Sequence, residues 1–245
     1  MYISAEGAQA QTRRLEVVAN NLANVDTVGF KRELAVFQAR YAEAIGRGQA
    51  TAGAGSIHDL GGGVQAAPTK TDFSPGPMKS TKTPTDLAID GEGFFVVDKG
   101  GEHYLTRAGN FRLTDRGQLV TQQGYPVLSE SFSPITIDPS GGDWQLGGSG
   151  TIRQQGNAQS LAIVQPQSPG DLSKASENLF RPLADPRPLP AVDRRVVSGY
   201  LEQSGVKPTS EMMEMIEASR AVEANVNMMQ TQDQMLSDLN RLLQA

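Results

Sequence analysis

Residues 210–243 read Ser-Glu-Met-Met-Glu-Met-Ile-Glu-Ala-Ser-Arg-Ala-Val-Glu-Ala-Asn-Val-Asn-Met-Met-Gln-Thr-Gln-Asp-Gln-Met-Leu-Ser-Asp-Leu-Asn-Arg-Leu-Leu. Met215, Val222, Met229, Leu236 and Leu243 recur every seven residues, and Ala218, Asn225, Gln232 and Leu239 take the intermediate seam positions. An apolar repeat of 3.5 residues held over four heptads predicts a helix that pairs with another helix. Asn225 and Gln232 are then polar seam residues that fix register at some cost in stability. Ser210 is the expected N-cap, and Glu211, Glu214 and Glu217 follow where the helix dipole favours acids. Such a helix is about 50 Å long at 1.5 Å per residue. A small β domain cannot cover that length, so the stripe requires a partner.

The other end of the chain offers one. Ser4 to Asn24 reads as a helix, with Ala8, Leu15, Val18, Leu22 and Val25 forming a second narrow apolar stripe. Val25-Asp26-Thr27-Val28-Gly29-Phe30 then predicts a helix stop and a turn, because its β-branched residues and a glycine disfavour continuation. A short helical continuation is expected from Arg32 to Ile45. Residues 46–63 are rich in Gly, Ala, Ser and Thr and read as a linker.

Between these ends the pattern changes to β. Leu87-Ala88-Ile89 and Phe94-Phe95-Val96-Val97 flank Asp90-Gly91-Glu92-Gly93, which predicts a hairpin. Further short strands are expected at 104–107, 111–113, 118–121, 125–128, 135–137, 151–154 and 161–164, with a last one over 196–201. Turn residues recur every eight to twelve positions, as in an antiparallel sandwich or irregular barrel. The expected fold class is therefore α+β: long N- and C-terminal helices forming a coiled-coil-like domain, plus a central, mainly antiparallel β domain. The expected boundaries are 1–45 for the N-terminal helical segment, 46–63 for the linker, 64–204 for the β domain and 205–245 for the C-terminal helix.

Composition excludes several kinds of chemistry. The chain has 245 residues, a formal net charge of −5 and no cysteine. Disulfides, thiolate metal sites and cysteine nucleophiles are absent with it. Most of the negative charge sits at the C-terminal end, where six acids face Arg220 and Arg241. No basic face suited to nucleic acid is present. No run of eighteen apolar residues exists, so no membrane span is expected. The N-terminal sequence lacks the basic and apolar regions of a cleavable secretory signal. The two histidines, His58 and His103, stand in no ligand spacing. Gly91-Glu92-Gly93 and Gly148-Ser149-Gly150 lack the rest of a nucleotide fingerprint. Asp86, Asp90, Glu92 and Asp115 lie in turn sequences, where solvated carboxylates outweigh a hydrolase pair. No enzyme, cofactor, metal or small-molecule substrate is expected.

Residues 19–32, Ala-Asn-Asn-Leu-Ala-Asn-Val-Asp-Thr-Val-Gly-Phe-Lys-Arg, carry a more specific signal. Three asparagines in five positions suit a helix poorly. The stretch resembles the N-terminal signature of the bacterial flagellar axial proteins, the rod, hook and hook-associated subunits. Residues 86–95, 104–111, 117–121 and 124–128 resemble the first part of that family's β domain, and 211–224 with 230–236 resemble its C-terminal helix. Residues 46–63 and 130–190 match less well.

The resemblance implies a structural subunit of the flagellar basal-body rod, polymerising through its terminal helices into an axial drive shaft. Its partners would be copies of itself, other rod and hook proteins, and the flagellar export apparatus that delivers it to the periplasm without a cleavable signal. The short central region favours a proximal over a distal rod position. The alternative is a periplasmic binding module whose β domain contacts cell wall or a ring protein. Stripes and signature together nominate as subunit contacts Leu15, Val18, Asn20, Asn21, Leu22, Asn24, Val25, Gly29, Phe30, Met215, Val222, Asn225, Met229, Gln232, Leu236, Leu239 and Leu243. The amides of the Asn-rich run are expected to bond to neighbouring chains.

Overall fold

A computed structural model describes residues 2–39 and 64–243. The expected linker at 46–63 lies outside the described residues. The chain divides into two compact units. Of the described residues, the first unit takes 2–23, 33–39, 64–72 and 207–243, and the second takes 24–32 and 73–206.

The first unit holds both described α-helices, a shorter N-terminal one and a longer C-terminal one. Helix α1 spans Tyr2–Ala23 and α2 spans Pro208–Leu243. Pro208 occupies the first helical position, where its fixed φ and missing N–H do no harm, so α2 starts ahead of the expected Ser210 cap. The helices run antiparallel. Gly7 lies against the Asn225 side chain (an added Cβ would be 3.4 Å from its Oδ1), Arg14 sits 3.7 Å from Glu214 and 3.8 Å from Glu217, and Asn21 bonds to Glu211.

Strand β1 (Glu33–Ala39) pairs antiparallel with β2 (Val64–Thr71), and both strands pack on α1. This corrects two expectations. The helical continuation from Arg32 is a strand as far as residue 39, because Val36 and Phe37 find a cross-strand partner in Ala67 and Ala66. Residues 64–71 accordingly group with the helices and not with the β domain. The register shifts between Leu34 and Val36, opposite Pro68, a residue that has no N–H to give a ladder.

The second unit is mainly antiparallel β. Its strands are β3 (Met78–Ser80), β4 (Leu87–Ile89), β5 (Phe94–Lys99), β6 (Glu102–Thr106), β7 (Arg112–Leu113) and β8 (Leu119–Val120), then β9 (Gln145–Leu146), β10 (Thr151–Gln154), β11 (Asn157–Ser160) and β12 (Ile163–Gln165). They continue with β13 (Leu172–Lys174), β14 (Phe180–Pro182), β15 (Arg187–Pro188), β16 (Val196–Ser198) and β17 (Tyr200–Glu202). Six of them form one sheet in the order β13-β14-β6-β5-β12-β15. Phe94, Phe95, Val96 and Val97 of β5 are buried on both faces, with Phe95 in one apolar cluster and Phe94 in another.

The expected hairpin across Asp90–Gly93 does not form. β4 pairs with β16, while β5 pairs with β6 and β12. The hairpin turn is instead Gly100-Gly101, where both φ angles are positive (68° and 87°), as the twist of a two-residue connection demands. The expected last strand over 196–201 is broken at Gly199 into β16 and β17, which pair with β4 and β3. Both edges of the six-stranded sheet are blunt: β13 is three residues long and β15 ends in proline. Such edges recruit no further strand.

Candidate functional site

The helical unit shows what the Asn-rich run does. Asn21 is 1% exposed. Its Nδ2 donates to the Glu33 carbonyl at 2.8 Å, and its Oδ1 accepts from the Glu33 amide at 2.9 Å. The side-chain amide thus pairs with the start of β1 as a strand backbone would. Its Nδ2 also lies 3.1 Å from Oε2 of Glu211, which is fully buried. Asn24 Oδ1 accepts from the Thr27 hydroxyl at 3.1 Å and shapes the turn after α1. Asn20 is exposed. Asn21 and Asn24, expected to reach neighbouring chains, bond within their own chain.

Asn21→Ala removes all three bonds and should destabilise the helical unit by about 1–3 kcal/mol, the usual cost of stranding buried polar groups. Asn21→Asp should cost more, because a carboxylate would face the Glu33 carbonyl and Glu211. Urea unfolding followed at 222 nm checks the order; an alanine variant as stable as the parent would overturn it.

The turn that follows is also internal. Gly29 donates its N–H to the Glu202 carbonyl at 2.8 Å, the Phe30 carbonyl accepts from Gly205 at 3.0 Å, and Asn178 Nδ2 donates to the Val28 carbonyl at 2.8 Å. Phe30 is 3% exposed, with the Lys174 ammonium 4.1 Å above its ring. Lys31 Nζ donates to Glu202 Oε1 at 2.6 Å and to the Ser74 carbonyl at 2.8 Å. Glu202 Oε1 accepts from Gly76 N at 2.8 Å, and its Oε2 accepts from Arg107 Nη1 at 3.2 Å. Lys31, Arg107 and Glu202 are all buried, and both cations bond to the one Glu202 carboxylate. Burial pulls the Arg107 guanidinium below its ordinary range, and Glu202 opposes that. Sequence reading does not single out Glu202 or Arg107 as site residues, although Arg107 lies in the 104–111 stretch, because their partners are distant in the chain. Gly29 and Phe30, expected as subunit contacts, serve the interior of their own unit.

The two stripes are brought together in part. Val18 is buried, as are Ala10 and Val17, while Leu15 and Leu22 are half-buried. The buried face of α1 is turned from the expected one because the helix has two neighbours, α2 and the β1–β2 pair. Val25 is half-buried in the turn. On α2, Ala218 is fully buried, and Met215, Val222, Asn225, Met229 and Gln232 are half-buried. The Asn225 amide also bonds back to the Ala221 carbonyl at 2.9 Å.

Beyond Gln232 the environment changes. Every residue from Asp233 to Arg241 is exposed, with Met235, Leu236 and Leu239 at 60%, 51% and 57%. The reason is length. α1 has 22 residues and α2 has 36. The pairs 7 with 225 and 21 with 211 set the register, so Tyr2 is level with about residue 230. The last turns of α2 run past the start of α1 by about 20 Å at 1.5 Å per residue. The side chain of Leu243 lies outside the described residues. Met212, Met213 and Ile216 form a second exposed patch near the start of α2 that a single heptad stripe does not contain.

The described residues offer little for chemistry. His103 is exposed and stacks on Phe132 with ring centroids 4.9 Å apart, and His58 lies outside them. Asp90, Glu92 and Asp115 are exposed. A groove of about 640 Å³ beside α1 is lined by Glu6, Arg13, Glu16 and Gln65 among others, and a polar pocket of about 300 Å³ by Arg116, Asp138 and Gln154 among others; neither contains a histidine. On the surface, Lys99 holds the Glu177 carboxyl below its usual range, with the Tyr125 hydroxyl adding to the effect. No described helix is long and apolar enough to cross a membrane.

Three family models match the chain: flagella basal body rod protein over residues 1–31, the D1 domain of flagellar hook protein FlgE/F/G over 88–156, and the C-terminal part of flagellar basal body rod FlgEFG protein over 197–242. Flagellar basal-body rod protein FlgF of Caulobacter vibrioides is 34% identical over 230 residues, 94% of this chain and 91% of its own. Flagellar basal-body rod protein FlgG of Bacillus subtilis is 33% identical over 258 residues, 99% and 98% of the two chains. FlgG of Caulobacter vibrioides is 35% identical over 258 residues, 98% and 97%.

Proposed function

Because the chain belongs to the flagellar basal-body rod protein family and is a structural subunit of that rod, not an enzyme, we propose that it polymerises by covering the free end of α2. One observation carries this reading: the α2 seam that packs on α1 continues past the start of α1 with Leu236 and Leu239 still apolar and more than half exposed. Each fully covered side chain of this size gains about 1.5–3 kcal/mol. The six-stranded sheet of unit two ends in short edge strands, one of them closed by proline. The occupants are copies of the chain and other rod and hook proteins, with the two terminal helices forming a coiled-coil-like layer across subunits. Asn20, Met229, Gln232 and Leu243 complete the contact set. We place the subunit in the periplasmic, proximal part of the rod, delivered by the flagellar export apparatus.

The test is Leu236→Lys/Leu239→Lys in the full-length chain, followed by sedimentation velocity. Two charges in the contact should leave the protein monomeric where the parent polymerises, with helix content unchanged. A double variant that polymerises like the parent sinks the reading.

A further inference from the structure

The chain has no cysteine, and six of its eight methionines, Met212, Met213, Met215, Met228, Met229 and Met235, lie in α2. Without thiols, thioethers are the side chains that a peroxide oxidises most readily. The six differ in surroundings. Met215 and Met229 are half-buried on the side of α2 that faces α1. Met212, Met213, Met228 and Met235 are between 47% and 61% exposed. Met228 and Met235 stand seven residues apart, so they share one face, and Leu239 follows four residues on. That face adjoins the end of α2 which α1 leaves uncovered.

We infer that Met228 and Met235 form an oxidation-sensitive site on the assembly surface, at which sulfoxide formation by a peroxide stops the free subunit from polymerising. The inference rests on the polymerisation proposed above. In the step, the thioether sulfur attacks one oxygen of hydrogen peroxide and an S–O bond forms as the O–O bond breaks. The released hydroxide takes the proton from the transferred oxygen and leaves as water. Sulfur is oxidised by two electrons and the peroxide is reduced by two. A flexible apolar side chain becomes a polar one. Burying its new acceptor without a donor is unfavourable, whereas the parent methionine adapts to an imperfect contact. A copy already in the polymer has these sulfurs covered, so it reacts slowly. The site thus separates new subunits from built structure.

The experiment treats the full-length chain with hydrogen peroxide, maps sulfoxides by peptide mass spectrometry and follows polymerisation by sedimentation. Sulfoxide at Met228 and Met235 should raise the concentration needed for polymerisation about tenfold or more, equivalent to at least ~1.4 kcal/mol. Reduction by methionine sulfoxide reductases A and B should restore it. Met228→Gln/Met235→Gln should reproduce the loss with unchanged helix content. Met78→Gln, in the second unit, should polymerise like the parent. Oxidised chains that polymerise at the parent's concentration, or a loss that persists after repair of both residues, would overturn the inference alone. An untreated parent that stays monomeric would overturn the polymerisation reading and this inference with it.

Discussion

Replacing Glu202 with alanine should destabilise the second unit by about 3–5 kcal/mol, the cost of breaking a buried ion pair from one side. The carboxylate is 2% exposed and receives Lys31, Arg107 and the Gly76 amide. Removing it leaves two buried cations without their shared counter-charge and one amide without an acceptor. Lys31→Met should cost less, because the carboxylate then still faces Arg107. The order distinguishes a cluster organised around its carboxylate from general packing, in which the longer lysine side chain would matter more. The reporter is Trp144, the chain's single tryptophan, which packs against the larger apolar cluster of the second unit. Its fluorescence in urea follows that unit, so an independent transition of the helices does not confuse the reading. Equal losses, or a greater loss for Lys31→Met, would defeat this account.

What was legible in the sequence follows from the range of the interactions. The C-terminal helix and most strand positions are local patterns, and they appear where the residues place them. Strand partners are not local. Leu87–Ile89 and Phe94–Val97 flank a good turn sequence, yet β4 pairs with residues 196–198, over a hundred positions away. The sequence of β1 reads as helix because its apolar residues are too few to separate a period of two from one of 3.6. Its partner, β2, starts after a long intervening stretch, so the second neighbour of α1 was invisible and the buried face of α1 was turned with it. The candidate contacts divide in the same way. Leu236 and Leu239 are exposed in the single chain. Asn21, Gly29 and Phe30 were grouped with them through a shared motif, but their bonds lie inside the chain. A motif marks residues that matter without saying whether the fold or the contact requires them.

Gly29→Ala should separate those two requirements, with an expected loss of about 3 kcal/mol in the second unit. Gly29 has φ of +65°, where an L side chain costs about 1–2 kcal/mol. It also lies on the backbone of the Arg107–Ala108 peptide. An added Cβ would sit 2.5 Å from the Arg107 carbonyl carbon and 2.6 Å from the Ala108 nitrogen. Neither atom can rotate away, so the turn or the strand end must move, and Arg107 is a member of the buried charge cluster. Gly100→Ala supplies the control. Its φ is +68°, and its Cβ would meet nothing within 4 Å. That variant should lose the conformational part alone, about 1–2 kcal/mol. The difference, read from Trp144 fluorescence in urea, measures the close approach by itself. If both substitutions cost the same, the glycine is required for its backbone angle only. If Gly29→Ala costs more, the Thr-Val-Gly-Phe-Lys turn is fixed by its close approach to the Arg107–Ala108 backbone as well as by its own angle.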